Sequence, residues 1–177
     1  MFNSVVATRF HRRMTRGRTG PFLLECEHTD GNTVEVIAKF TGPQLPVSGL
    51  VREALCAMLA ADLGLPVPGF HCVHLSPEFL AGLAQSHADE AAFLLATVNP
   101  GFGSIKLPPG FTVWMPGRSI PRSMAAAAAE IYAFDLLIQN PDRRPDNPNL
   151  QHRGDQFAIF DHELALVTEG VLFWRPP

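Results

Sequence analysis

The run Asn140-Pro141-Asp142-Arg143-Arg144-Pro145-Asp146-Asn147-Pro148-Asn149, followed fourteen residues after Asn147 by Asp161, constrains this chain more than any other stretch. Asn-Pro-Asp and Asp-Asn-Pro-Asn are turn-forming sequences, so the segment reads as a rigid loop. Leu150 and Gln151 lead into a turn at His152-Arg153-Gly154-Asp155, and Phe157-Ala158-Ile159-Phe160 returns as a strand. Such a hairpin brings Asp161 back beside Asn147, where a carboxylate and an amide oxygen converge on one hard cation. Asp142, five residues before Asn147, is left to face a reacting hydroxyl.

The rest of the chain narrows the chemistry that this set serves. Its 177 residues suit one domain or two small lobes, and 46% hydrophobic residues suffice for a core. A formal charge of −3 gives no general case for nucleic acid or an anionic membrane. The first twenty residues depart from that balance, with Arg9, His11, Arg12, Arg13, Arg16 and Arg18 and no acid among them. They suit a phosphate-binding loop, a nucleic-acid arm or a solvated face. Cys26, Cys56 and Cys72 lack Cys-x-x-Cys spacing and read as small buried hydrophobes in a reducing compartment. His71 and His74, three apart in an expected strand, point to opposite faces and make no metal pair. The absence of a signal-like opening or a membrane-length apolar run makes cytoplasm the expected location.

Along the chain, residues 5–10, 22–27 and 33–40 read as three strands, the last two joined by the hairpin signal Thr29-Asp30-Gly31-Asn32. Ser48 is the expected N-cap of a helix in which Val51, Ala54, Leu55, Met58, Leu59 and Leu63 recur at helical spacing, ended by Gly64. Residues 70–75 read as a fourth strand, and 77–87 as a short helix or loop. Residues 93–98 and 111–115 read as strands or buried segments, with the Gly- and Pro-rich stretch 99–110 between them. Met115-Pro116-Gly117-Arg118 reads as a connector. Pro121 suits the first position of an alanine-rich helix that runs to about Gln139 and delivers the chain into the Asp142 loop.

Phosphoryl transfer asks for a carboxylate at the attacking hydroxyl, cations on the phosphates and ligands for magnesium. Lys39 is the only lysine in the first hundred residues, and it ends the run Val36-Ile37-Ala38-Lys39, close to a V-A-I-K pattern. Glu53 follows on the next helix, on a face that also carries Ala57 and Ala60. Arg16-Gly17-Arg18-Thr19-Gly20 stands between the first two strands, where glycines allow close backbone approach and Thr19 and backbone N–H groups can donate to phosphate.

Asp142-Arg143-Arg144-Pro145-Asp146-Asn147 is similar to the D-L-K-P-E-N run of protein-kinase catalytic loops, with Arg144 as the basic residue at plus two. With Val34-Glu35-Val36-Ile37-Ala38-Lys39, Leu63-Gly64-Leu65-Pro66-Val67-Pro68, residues 134–150 and Phe160-Asp161-His162-Glu163, the chain resembles the HipA-like kinase family from its first strand to about Val167. The resemblance implies an α/β, two-lobed kinase-like fold, with an antiparallel N-lobe over residues 1–115 and a short, truncated helical C-lobe over 116–177. It implies ATP and Mg2+ as cofactors and phosphorylation of a protein Ser/Thr hydroxyl. Asp142, Lys39, Glu53 and Arg144 take the catalytic roles. Gly17, Arg18, Thr19, Gly20, Lys39 and Met115 bind nucleotide, and Asn147 and Asp161 hold the metal. Several members of the family are toxin components, so a protein substrate or antitoxin-like partner is expected. The apolar Val171-Leu172-Phe173-Trp174 offers a route to a homo-oligomer. Departures from the pattern are Asp161-His162-Glu163 in place of Asp-Phe-Gly, Asn140-Pro141 in place of His-Arg, and only sixteen residues after Asp161. A nucleotide-binding pseudokinase or regulatory subunit, and a nucleic-acid module built on the basic amino-terminal segment, are the alternatives.

Overall fold

The computed structural model describes residues 3–15 and 17–166. The chain is a mixed α/β protein that divides into two compact units, residues 1–50 with 68–107 and residues 51–67 with 108–177. Arg16 and the apolar segment Val171-Leu172-Phe173-Trp174 lie outside the described residues.

The first unit is a closed five-stranded barrel. Its strands are β1 (Asn3–Arg13), β2 (Phe22–Glu27), β3 (Thr33–Lys39), β4 (Phe70–His74) and β5 (Gly101–Ile105), in the order β1-β2-β3-β5-β4. The three-strand meander expected from the sequence forms its first half, with Phe22 opposite Ala38 and Glu27 opposite Thr33. β1 closes the barrel by pairing parallel to β4, Asn3 opposite His71 and Val6 opposite His74. Period-two alternation turns Val5, Ala7, Leu24, Cys26, Val36, Ala38 and Val73 into one buried core. Helices α2 (Pro77–Ser86) and α3 (Ala88–Leu95) add Leu83, Ala91 and Leu94 to it. Ser76 caps α2, its hydroxyl accepting from the Phe79 N–H at 3.1 Å.

One sequence expectation is corrected here. Residues 93–98 are not a strand; residues 93–95 end α3 instead. Asp89 and Glu90 occupy the first turn of α3, and Ala91 and Leu94 meet the core at a helical spacing of three. The Gly- and Pro-rich stretch 99–110, given no element from the sequence, supplies β5, the strand between β3 and β4. Its glycines are a packing requirement. A Cβ on Gly103 would lie 2.5 Å from the Val73 side chain and 3.3 Å from Val36, and one on Gly101 would lie 2.7 Å from the Lys39 carbonyl oxygen.

The second unit is built on α1 (Val47–Asp62, its first residues in the first unit), a short 3-10 turn at Arg122–Met124, α4 (Ala125–Leu137) and a sheet of β6 (Thr112–Val113), β7 (Leu150–Arg153) and β8 (Gln156–Ile159). The sheet order is β6-β7-β8. Ser48 lies inside the first turn of α1 rather than capping it, because Pro46 already accepts the Leu50 N–H at 3.1 Å. Pro121 precedes the 3-10 turn and so does not open α4 itself.

Both long helices end by the same device. The N–H of Leu65 bonds the Ala60 carbonyl across left-handed Gly64, and the N–H of Asn140 bonds the Asp135 carbonyl across left-handed Gln139. The buried face of α1 carries Glu53, Cys56, Ala57 and Ala60, while Val51, Leu55, Met58, Leu59 and Leu63 are exposed. Cys56 and Ala60 join Leu65, Met124, Ile131, Phe134, Ile138, Phe157 and Ile159 in a second core. All three cysteines are free, and burial pushes the Cys26 and Cys56 thiols up to about 12, which leaves them protonated and inert at neutral pH. Among the described residues no helix is long and apolar enough to cross a membrane.

The role given to Gly103 is open to a direct check. Gly103→Ala should destabilise the protein by about 1–3 kcal/mol through overpacking between β3 and β4. Gly82→Ala, on an open site of α2, should be neutral or stabilising. Equal melting temperatures for the two variants would contradict the packing argument.

Candidate active site

The loop after α4 is shaped by its own polar groups. The backbone of Arg144 and Asn147 exchanges two hydrogen bonds, each 3.0 Å, and closes a tight turn over Pro145 and Asp146. That turn sets Asn147 back against Asp142, whose carbonyl oxygen accepts from Asn147 Nδ2 at 3.4 Å. The Asp142 N–H donates to Asn140 Oδ1 at 3.1 Å, and Asp142 Oδ2 accepts from Asn149 Nδ2 at 3.2 Å. Asn149 adopts φ 41°, a left-handed conformation that asparagine tolerates better than most side chains. Asp142 and Asn147 therefore belong to one hydrogen-bonded turn.

Arg144 is the exposed basic residue of the loop. Its guanidinium lies 3.8 Å from Asp142 Oδ1 and 3.8 Å from Asp146. Its neighbour Arg143 is the better held of the two and was not singled out from the sequence. Its side chain, 10% exposed, pairs through Nε with Asp135 of α4. Nη1 donates to the carbonyls of Pro148, at 3.2 Å, and Asn149, and Nη2 meets His162 Nε2 at 3.1 Å. The doublet Arg143-Arg144 gives no sign of which arginine turns inward.

The β7–β8 hairpin turns at Gly154 and Asp155 and pairs Leu150 with Ile159. One step beyond the ladder, the Phe160 N–H bonds the Asn149 carbonyl at 3.3 Å. Asp161 follows directly after this bond, on the strand that returns from the hairpin. Asp161 has φ 66°, an uncommon conformation for a non-glycine residue. His162 is 1% exposed and rests edge-on against Phe134, with ring centroids 5.8 Å apart.

Helix α1 grips this segment through consecutive residues. Glu53 Oε2 accepts the His162 N–H at 2.6 Å, and Arg52 Nε donates to the Glu163 carbonyl at 3.0 Å. Carboxylate oxygens of Glu53, Asp161 and Glu163 all lie within 4.8 Å of one another. Three acids so close favour a cation among them. Glu53 was expected to orient Lys39; its bond to His162 adds a role within the second unit.

In the first unit, Gly17, Arg18, Thr19 and Gly20 line an open cavity of about 420 Å³ with Arg13, Gly42, Gln44, Phe40 and Phe93. Among the described residues no carboxylate lines it. Arg13, from the basic amino-terminal segment, packs its guanidinium 4.3 Å over Phe93 and 5.1 Å over Phe22, and donates to the Gly20 carbonyl at 3.2 Å. The loop thus has the positive, glycine-rich character that suits an anion. Lys39 lies half-buried on β3, opposite Phe102 in the ladder, on the face that alternates away from Ala38. Met115 is exposed in the second unit, and the Arg118 N–H bonds its carbonyl at 3.3 Å.

The Glu53–His162 bond generates a stability prediction. Glu53→Leu should cost about 1–3 kcal/mol by leaving a buried N–H without its acceptor. Glu53→Gln keeps an accepting oxygen and should cost less. Thermal unfolding of both variants measures the difference, and an equal loss would contradict the assignment.

Comparison with known proteins identifies the family. The model of the HipA-like kinase family matches residues 7–171. No curated protein and no solved structure matches the chain. The matched span contains the glycine-rich loop, Lys39, Glu53, the Asp142 turn and Asp161, and by it the chain belongs to the HipA-like kinase family.

Proposed function

We propose that this kinase-like chain transfers the γ-phosphoryl group of ATP to a serine or threonine hydroxyl of a protein, with a two-lobed kinase-like arrangement of its two units. The observation that supports this most is the hydrogen-bonded turn that holds Asp142 and Asn147 together, followed by the hairpin that returns Asp161 to the same end of the sheet. Asp142 is placed by Asn140 and Asn149. It would orient the attacking hydroxyl and accept its proton.

The donor set suits magnesium. Asn147 and Asp161 offer an amide and a carboxylate oxygen, the hard ligands that Mg2+ takes, and further carboxylates of Glu53 and Glu163 stand near Asp161. Bound there, the ion would neutralise charge on the ATP phosphates. Lys39 would hold the phosphates and Glu53 would set the orientation of Lys39. Gly17, Arg18, Thr19 and Gly20 would cover the phosphates from the first unit, and Met115 would border the base. Arg144, exposed beside Asp142, is suited to meet the transferred phosphoryl group.

Two variants separate these roles. Asp142→Ala should lower phosphate transfer by about 10²–10⁴-fold while Mg-ATP binding survives. Asp161→Ala should weaken magnesium-dependent nucleotide binding as well. Calorimetry with Mg-ATP, followed by a phosphorylation assay, reads both. Nucleotide binding without transfer in the wild type would favour a pseudokinase. A folded wild type that binds no nucleotide would contradict both readings.

A further inference from the structure

Arg143 has no place in the transfer step just described, yet it makes more contacts than any other side chain of the loop. Four bonds leave its guanidinium for three separate segments. Nε reaches Asp135 on α4. Nη1 reaches the Pro148 and Asn149 carbonyls, at the exit of the turn that carries Asp142 and Asn147. Nη2 reaches His162, the residue after Asp161. Arginine has no acceptor, so His162 Nε2 accepts this bond and its ring carries its proton on Nδ1. His162 is fixed in turn from its backbone by Glu53 and from its ring face by Phe134.

The two segments that Arg143 ties together are the two that bear the proposed metal ligands. The β7–β8 ladder holds them only as far as Leu150 and Ile159, with one further bond from Phe160 to Asn149. Beyond that point the Arg143–His162 bond is a side-chain connection across the pair. We infer that Arg143 is a positioning residue. Its planar fork locks the Asp142–Asn149 turn to the Asp161–His162 segment, and so fixes the spacing between Asn147 and Asp161 that a shared cation requires. This inference rests on the proposed reading of Asn147 and Asp161 as magnesium ligands. A lysine could keep the charge beside Asp135, but its single ammonium could not reach all three segments in a fixed plane.

The test uses Arg143→Lys, His162→Leu and His162→Gln, with ADP as the probe, titrated in magnesium and in EDTA. Wild type should bind ADP more tightly with magnesium. Arg143→Lys should lose about ten-fold or more of that magnesium-dependent gain, with its affinity in EDTA unchanged. His162→Leu, which cannot accept the bond, should behave the same way. His162→Gln presents an oxygen acceptor and should recover most of the gain. In the ligand-free wild type, nitrogen NMR of the His162 ring should show the proton on Nδ1, and Arg143→Lys should alter that signal.

A wild-type magnesium response in folded Arg143→Lys would overturn the inference while leaving the proposed function intact. An equal loss of affinity with magnesium and with EDTA would overturn it in favour of a purely structural role. Failure of the wild type to bind ADP under either condition would overturn the proposed function, and this inference with it.

Discussion

A short antiparallel ladder governs the chemistry of the second unit. Leu150 to Arg153 pairs with Gln156 to Ile159, and this register leaves no freedom to the residues at its open end. Phe157 and Ile159 both pack into the second core, and a slip of one residue would take both out of it, so the core opposes it. Just outside the ladder, one further backbone bond joins Phe160 to Asn149. Arg143, Glu53 and Arg52 then fasten this open end from α4 and α1. The proposed acid–amide–acid set rests on strand pairing first and on polar contacts second.

The first unit obeys a different constraint, the space inside a five-stranded closure. β5 runs between β3 and β4, and Gly101 and Gly103 let it approach both. The closure gathers Phe22, Phe40 and Phe93 close to the glycine-rich loop, and Arg13 lies over two of those rings. The Arg13 guanidinium at that end of the barrel is held by aromatic packing, which suits a surface that meets an anionic ligand.

Much of this was legible in the sequence. The meander followed from alternation and the Asp30-Gly31 turn, the end of α1 from Gly64, and the β7–β8 hairpin from the turn residues around Gly154. The misreadings share a cause, which is that local pattern does not report tertiary crowding. The strand at Gly101–Ile105 was not read from the sequence, because the strands that crowd its glycines lie elsewhere in the chain. The apolar run at Phe93 looked extended because Asp89 and Glu90, which open the helix, lay just outside the window. The apolar residues of α1 at Val51, Leu55 and Leu59 are exposed, while the smaller Cys56, Ala57 and Ala60 are buried beside Glu53. Arg143 was indistinguishable from Arg144, since only the fold decides which of two adjacent arginines meets Asp135 and His162.

The central claim is that Asn147 and Asp161 hold one magnesium ion against the phosphates of ATP while Asp142 faces the hydroxyl. A crystal structure with magnesium and a non-hydrolysable ATP analogue tests it most directly. The account predicts one cation bound by Asn147 Oδ1 and an Asp161 carboxylate oxygen, bridging to the phosphates, with Asp142 on the same cleft and Lys39 on the nucleotide. A cation held by Glu53 and Glu163 without Asn147, or a nucleotide bound away from Lys39, would contradict it.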